Sequence, residues 1–218
     1  MVKPIRRVVT GHDARGRSIF VSDGPSPHVL TIPGRPDFAL TNLWVTDCAP
    51  ASNAGAADAA ARPVVLEPPR KGAIFRVVEF PPDQAPGGFD RKAAFGAMGA
   101  HHAMDPDASR HPGMHRTDTV DFALVLSGEI WALMDEDETR LRAGDTLVQR
   151  GTNHAWSNRS SAPCLVAFIL VDAAPLGGGK PARNGPIKRP AARAGRGSPS
   201  RRPSRRTTPR PRRKPRPR

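Results

Sequence analysis

The stretch HPGMHRTDTVDFALVLSG, residues 111–128, places His115 six residues before Asp121, and GDTLVQRGTNHAWSN, residues 144–158, adds His154 and Trp156. Imidazole nitrogens with one carboxylate form a donor set that leaves coordination positions open and suits non-haem Fe(II). To act together, the three groups must project from one surface. Successive side chains of an extended strand alternate between its faces. Extension over 115–125 therefore sets His115, Thr117, Thr119 and Asp121 on one side, with Asp118, Val120 and Phe122 on the other. Asp121 is favoured over Asp118 as the carboxylate on that ground. The same alternation puts His154 and Trp156 on one face, with Trp156 either in the core or as a pocket wall. A competing reading has His115 and His154 as hydrogen-bonding residues of a polar barrel that holds no metal, and the sequence leaves both open. His101, His102 and His111 fall outside the spacing and read as exposed loop residues, with His111 close enough to edge a pocket mouth.

The elements that would position these groups are short. Residues 4–48 carry β-rich pieces (RRVVTG, SIFVSDG, HVLTI, FALTNLWVTD) separated by Gly, Pro, Asp and Asn. GAIFRVVEFPP, 72–82, reads as a strand ended by prolines, which cannot continue a ladder. Between them, CAPASNAGAADAAARP (48–63) has no apolar stripe and reads as loop. In 87–110, Phe89, Phe95 and Met98 recur at a helical period, with Asp90 placed to cap one short helix. From Met114 to Asp172 strand follows strand (DFALVLSG, EIWALMD, ETRLRAGD, TLVQRG, HAWSNRS, CLVAFILVD) at a spacing that argues for an antiparallel barrel or sandwich. Gly128, Gly144 and Gly151 fall at its turns, where backbone angles unfavourable to other residues are needed.

These two stretches resemble the paired motifs of the cupins. The first motif runs Gly, five residues, His-x-His, three or four residues, Glu, six residues, Gly; the second runs Gly, five residues, Pro-x-Gly, two residues, His, three residues, Asn. His115, Thr117, Asp121 and Gly128 fall on the first, with Ser109 at the leading Gly. Gly144, Gln149, Gly151, His154 and Asn158 follow the second, one residue short before Gln149. The chain is more closely similar to cupin-domain oxidoreductases of aromatic polyketide pathways, through His115, Arg116, Thr117 and Asp121 and through Gln149 to Asn158. The resemblance implies an all-β double-stranded β-helix, the cupin or jelly-roll barrel, with extra N-terminal strands and one short helix. It implies a divalent metal on His115, Asp121 and His154, with Fe(II) favoured over Mn, Ni or Zn, or else no metal, because Thr117 replaces a ligand histidine. Thr117, Thr119, Gln149 and Trp156 would then border the substrate pocket, and Gly128, Gly144, Gly151 and Asn158 would serve the fold. The implied activity is an oxidoreductase or dioxygenase-like reaction on a small aromatic or polyketide-like molecule. Isomerisation, decarboxylation and a metal-free binding module stand as alternatives.

Charge separates the chain into parts. Of 34 Lys/Arg, 16 lie in residues 180–218, which hold no Asp or Glu; the other 18 face all 20 acids in residues 1–179, whose formal charge is therefore −2. The boundaries read as N-terminal strands and loop, 1–70, packing on a barrel, 71–174, followed by a disordered Pro/Arg-rich tail, 175–218. That tail has too few apolar residues to form a core. It lacks aromatic residues for base stacking and reads as a bland arm, a phosphate-binding arm or a stretch read out of frame. No specific nucleic-acid partner is expected. The start has no apolar segment behind its positive charge, and no run approaches a membrane span. With two cysteines, read as a buried reduced pair, this argues for a cytoplasmic protein. Unprotected edges of the N-terminal strands argue for a homodimer.

Overall fold

Alternation of apolar and polar side chains becomes alternation of faces in the computed structural model, which describes residues 2–107 and 110–177. The described residues form eleven strands and one α-helix: β1 (Arg6–His12), β2 (Ser18–Pro25), β3 (Val29–Ile32), β4 (Arg35–Thr46), β5 (Ala73–Phe80), α1 (Arg91–Ala97), β6 (Thr119–Ser127), β7 (Glu129–Met134), β8 (Glu138–Arg142), β9 (Thr146–Arg150), β10 (His154–Ser157) and β11 (Cys164–Asp172). All pairings are antiparallel. A six-stranded sheet runs β3-β4-β5-β11-β6-β9 and a three-stranded sheet runs β10-β7-β8. Their inner faces share a core that includes Ile74, Val78, Val125, Ile130, Ala132 and Val166, which is the double-stranded β-helix.

The expected strands are all present, and the N-terminal segment divides in two. Strands β3 and β4 enter the large sheet beside β5, while β1 and β2 pair only with each other. Residues 48–63 form neither strand nor helix, yet they are tied down: the buried Arg7 guanidinium donates to Asp58 at 2.9 and 2.6 Å. Asp90 caps α1, its side chain accepting the Ala93 N–H at 3.0 Å, and the helix buries Ala94 and Phe95 in the core. Both cysteines are free, Cys164 buried and Cys48 only half-buried, so the two are not the buried pair that the sequence suggested. The expected tail begins in residues 175–177, which have no regular structure; its remainder, 178–218, and Ser109 lie outside the described residues.

One face of the large sheet is covered only in part by the described residues: Leu43, Val77 and Leu165 pack with Ile5, and the rest of that face is open. Register places Phe75 opposite Ile169, Ile169 opposite Phe122 and Phe122 opposite Val148, an apolar row across β5, β11, β6 and β9. All four side chains are exposed.

Candidate functional site

The chain entering β6 alternates as its sequence demands: Thr117, Thr119 and Asp121 are buried, while Arg116 and Asp118 are exposed. His115 continues that inward series through an isolated bridge to His154 at the start of β10. The two residues exchange backbone bonds, each N–H donating to the other's carbonyl at 2.9 Å, which makes them a hydrogen-bonded antiparallel pair with side chains on one face. Their ring centroids lie 4.2 Å apart. Gly151, at φ +57°, turns the chain from β9 into β10 and donates its N–H to Thr119 O at 3.0 Å. An L side chain resists that left-handed angle.

Both imidazoles are oriented from behind. His115 Nδ1 lies 2.8 Å from Gly113 O and His154 Nδ1 lies 3.0 Å from Thr152 O. A carbonyl only accepts, so each Nδ1 carries the proton and each Nε2 keeps its lone pair. Ligand histidines are commonly held in this way. Burial pushes His115 down to about 4 and His154 well below the usual range, with the neighbouring His115 adding to the effect. Both rings are therefore neutral at pH 7, the form that binds a metal.

Asp121 sits opposite Gln149 in the β6–β9 register. Burial raises its carboxyl to about 6, against the opposing influences of Thr119 and Arg76. Its Oδ1 is buried without a partner, and its Oδ2 has only a long, 3.5 Å approach from Gln149 Nε2. The Gln149 amide nitrogen also stands 2.7 Å from Nδ1 and 2.8 Å from Nε2 of His154. Because Nδ1 is already committed to Thr152, the amide N–H finds its acceptor at Nε2. Gln149 thus lies between the carboxylate and the second imidazole. Among the described residues no three His, Cys, Asp or Glu stand at ligand spacing. The donor chemistry still fits a metal: two neutral imidazoles with Nε2 free of a proton, and a carboxylate with an unpartnered oxygen. Occupancy requires the Gln149 amide to leave His154.

A cavity of about 440 Å³ opens over this cluster, and His115, Thr117, Asp121, His154 and Trp156 are on its wall. Trp156 packs edge-on to Phe168, centroids 5.2 Å apart, and is thus both core and pocket wall. Thr119 and Gln149, expected to border the pocket, are buried behind it: Thr119 exchanges a 2.7 Å hydrogen bond with Thr117, and Gln149 spans Asp121 and His154. Gly128 and Gly144 serve turns at φ +77° and +92°. Asn158 is structural, donating to Phe80 O at 2.9 Å and Ala162 O at 2.8 Å. His111, read from the sequence as a loop residue, is on the cavity wall, its Nδ1 accepting the Gly113 N–H at 3.0 Å. Arg76 was missed, although a signal was present: in AIFRVVEF, alternation puts it on the same face as Ile74, Val78 and Phe80.

Comparisons with known proteins agree with this architecture. The family described as Cupin domain matches residues 100–171, which contain His115, Asp121 and His154. Phomopsin biosynthesis cluster protein C' of Diaporthe leptostromiformis is 32% identical over 178 residues, covering 78% of this chain and 79% of that protein. Oryzines biosynthesis cluster protein J of Aspergillus oryzae is 46% identical over 72 residues, 30% of this chain and 40% of that protein. A cupin-domain-containing oxidoreductase of Hypocrea virens is 26% identical over 178 residues, 78% of this chain and 77% of that protein.

Proposed function

The chain belongs to the cupin superfamily, and from that premise we propose that it is a metal-dependent oxidoreductase acting on a small aromatic or polyketide-like molecule in the barrel cavity. The observation that carries the reading is the matched pair of imidazoles: His115 and His154, both on the cavity wall, each give Nδ1–H to a carbonyl two residues upstream and keep an unprotonated Nε2. His115, His154 and Asp121 would hold the metal, Fe(II) before Mn, Ni or Zn. Such a centre supplies open positions for O₂ or for polarising a carbonyl or enol.

The remaining work falls to the chain itself. Gly113 and Thr152 fix the two rings, Thr119 and the Arg76 charge favour the ionised form of Asp121, and Phe80, Phe95, Trp156 and Phe168 give an apolar wall that excludes water and accepts a flat body. The similarity to a cupin-domain-containing oxidoreductase supports the reaction class. Nitric oxide added to the Fe(II)-loaded chain under anaerobic conditions tests the open positions. A high-spin iron–nitrosyl electron-resonance signal proportional to iron is expected; a chain that takes up stoichiometric iron without giving it contradicts the open-site reading.

Gln149 favours a second reading. Its amide nitrogen stands against the His154 ring, 2.8 Å from Nε2, where it competes with a metal for that nitrogen, as in a metal-free small-molecule binding module. The proposal extends to a cytoplasmic homodimer: the free Cys48 and Cys164 suit a reducing compartment, and the row from Phe75 to Val148 is an apolar face that a two-fold partner would cover.

A further inference from the structure

Three arginines are nearly fully buried, and their surroundings differ. Arg7 has Asp58 at 2.6 Å. Arg35, on the cavity wall, has Asp37 at 3.0 Å and donates to two carbonyl oxygens, those of Gly88 and Pro82. Arg76, also on the cavity wall and 2% exposed, has one bond, from Nη2 to Val65 O at 2.5 Å, and a buried Nε with no partner. Among the described residues no carboxylate lies within ion-pair distance of it. Its cross-strand neighbours on β4 and β11 are Asn42 and Phe168, neither of which carries charge. Asp121 acts on it only through space, from elsewhere on the same cavity wall.

A guanidinium is a fork of five donors that stays charged in proteins and matches the two oxygens of a carboxylate. Buried cations are paired in stable proteins, so an arginine that faces a cavity with donors to spare points to a counter-charge brought by a ligand. Desolvation lowers this guanidinium to about 10, which leaves it fully charged at pH 7. The rest of the wall near it is apolar and aromatic, including Val78, Phe80, Phe168 and Leu170.

We propose that Arg76 is the anion-recognising residue of the cavity and that the molecule bound there is an aromatic acid, its carboxylate paired with Arg76 and its ring system against Phe80, Trp156 and Phe168. This deepens the substrate class and rests on the reading of the cavity as the substrate site. Without the acid, Arg76 remains an underpaired charge; with it, the charge is neutralised in a dry pocket where charge-assisted bonds are strongest.

The test is binding of 2-naphthoate and of its neutral isostere 2-naphthamide to the full chain, by calorimetry, with metal content measured on the same samples. Wild type is expected to bind the acid about tenfold or more tighter than the amide. Arg76→Met should abolish that preference, and Arg76→Lys should keep part of it, since the charge remains without the fork. Equal binding of acid and amide by wild type overturns the proposal even if Arg76→Met fails to fold, and so does the binding of neither. A preference that survives Arg76→Met belongs to another group on the wall, the metal centre or Arg35, and overturns it too. Stoichiometric metal with no acid preference sinks the Arg76 assignment alone; acid preference in a chain that never holds metal sinks the metal-dependent reading alone.

Discussion

His115 and His154 are joined by two reciprocal 2.9 Å backbone hydrogen bonds, so the relative position of their rings is fixed by the chain rather than by a bound ion. What competes for the ring nitrogen of His154 is Gln149, 2.8 Å from Nε2.

Gln149→Ala removes that competitor. If the centre binds metal, affinity should rise about tenfold, roughly the value of one hydrogen bond that no longer has to be broken. Competition against a fluorescent chelator measures it. Under the metal-free reading the same change leaves His154 Nε2 unsatisfied, and the chain gains no metal affinity.

Two opposed titrations shape acid stability in metal-free protein. His115 is depressed to about 4, so as pH falls below about 6.5 the unfolded chain takes up a proton that the folded chain refuses, and stability drops until about pH 4. Asp121 is raised to about 6; its contribution is lost in the other direction, as pH rises from about 4 through 6. With His154 acting in the same sense as His115, acid destabilisation wins. His115→Gln should flatten the profile between pH 4 and 6.5. Asp121→Asn should stabilise the metal-free chain by about 3 kcal/mol at pH 8 and change little at pH 3.5. Urea unfolding at the two pH values measures both, and a loss of stability in Asp121→Asn at pH 8 would contradict the burial argument.

The turn glycines should not be equivalent. A Cβ on Gly128 would sit 2.9 Å from Pro163 O, whereas on Gly144 it meets nothing within 4 Å. Both have positive φ, so Gly144→Ala should cost about 1 kcal/mol from the backbone alone, and Gly128→Ala about 2 kcal/mol or more. Denaturant midpoints decide it; equal costs would refute the steric distinction.

The sequence made the strands legible because their periods are short and their turns are marked by Gly, Pro and Asp. Alternation alone separated Asp121, buried, from Asp118, exposed. It could not show that Gln149 would reach across from β9 to His154, since that depends on side-chain direction within a register no single sequence displays. His111 looked like a loop residue because its strand partners are absent, yet the fold brings its loop to the cavity mouth. Arg76 obeyed the alternation rule in plain view, but an arginine in a strand reads as solvent-facing until the burial of its own face is known.

The apolar row on the large sheet makes self-association measurable. Phe122 lies in its middle, between Ile169 and Val148. Wild type should sediment as a dimer at micromolar concentration and Phe122→Glu as a folded monomer, because an isologous contact meets the new charge twice. A monomeric wild type would refute the paired-face proposal.

Metal content of the never-chelated chain, produced in metal-supplemented medium, is the most direct measurement of the central claim. About one divalent metal per chain is expected, retained in Asp118→Ala and lost in His115→Ala and in His154→Ala. Wild-type protein without stoichiometric metal would contradict the account and leave the binding-module reading in its place.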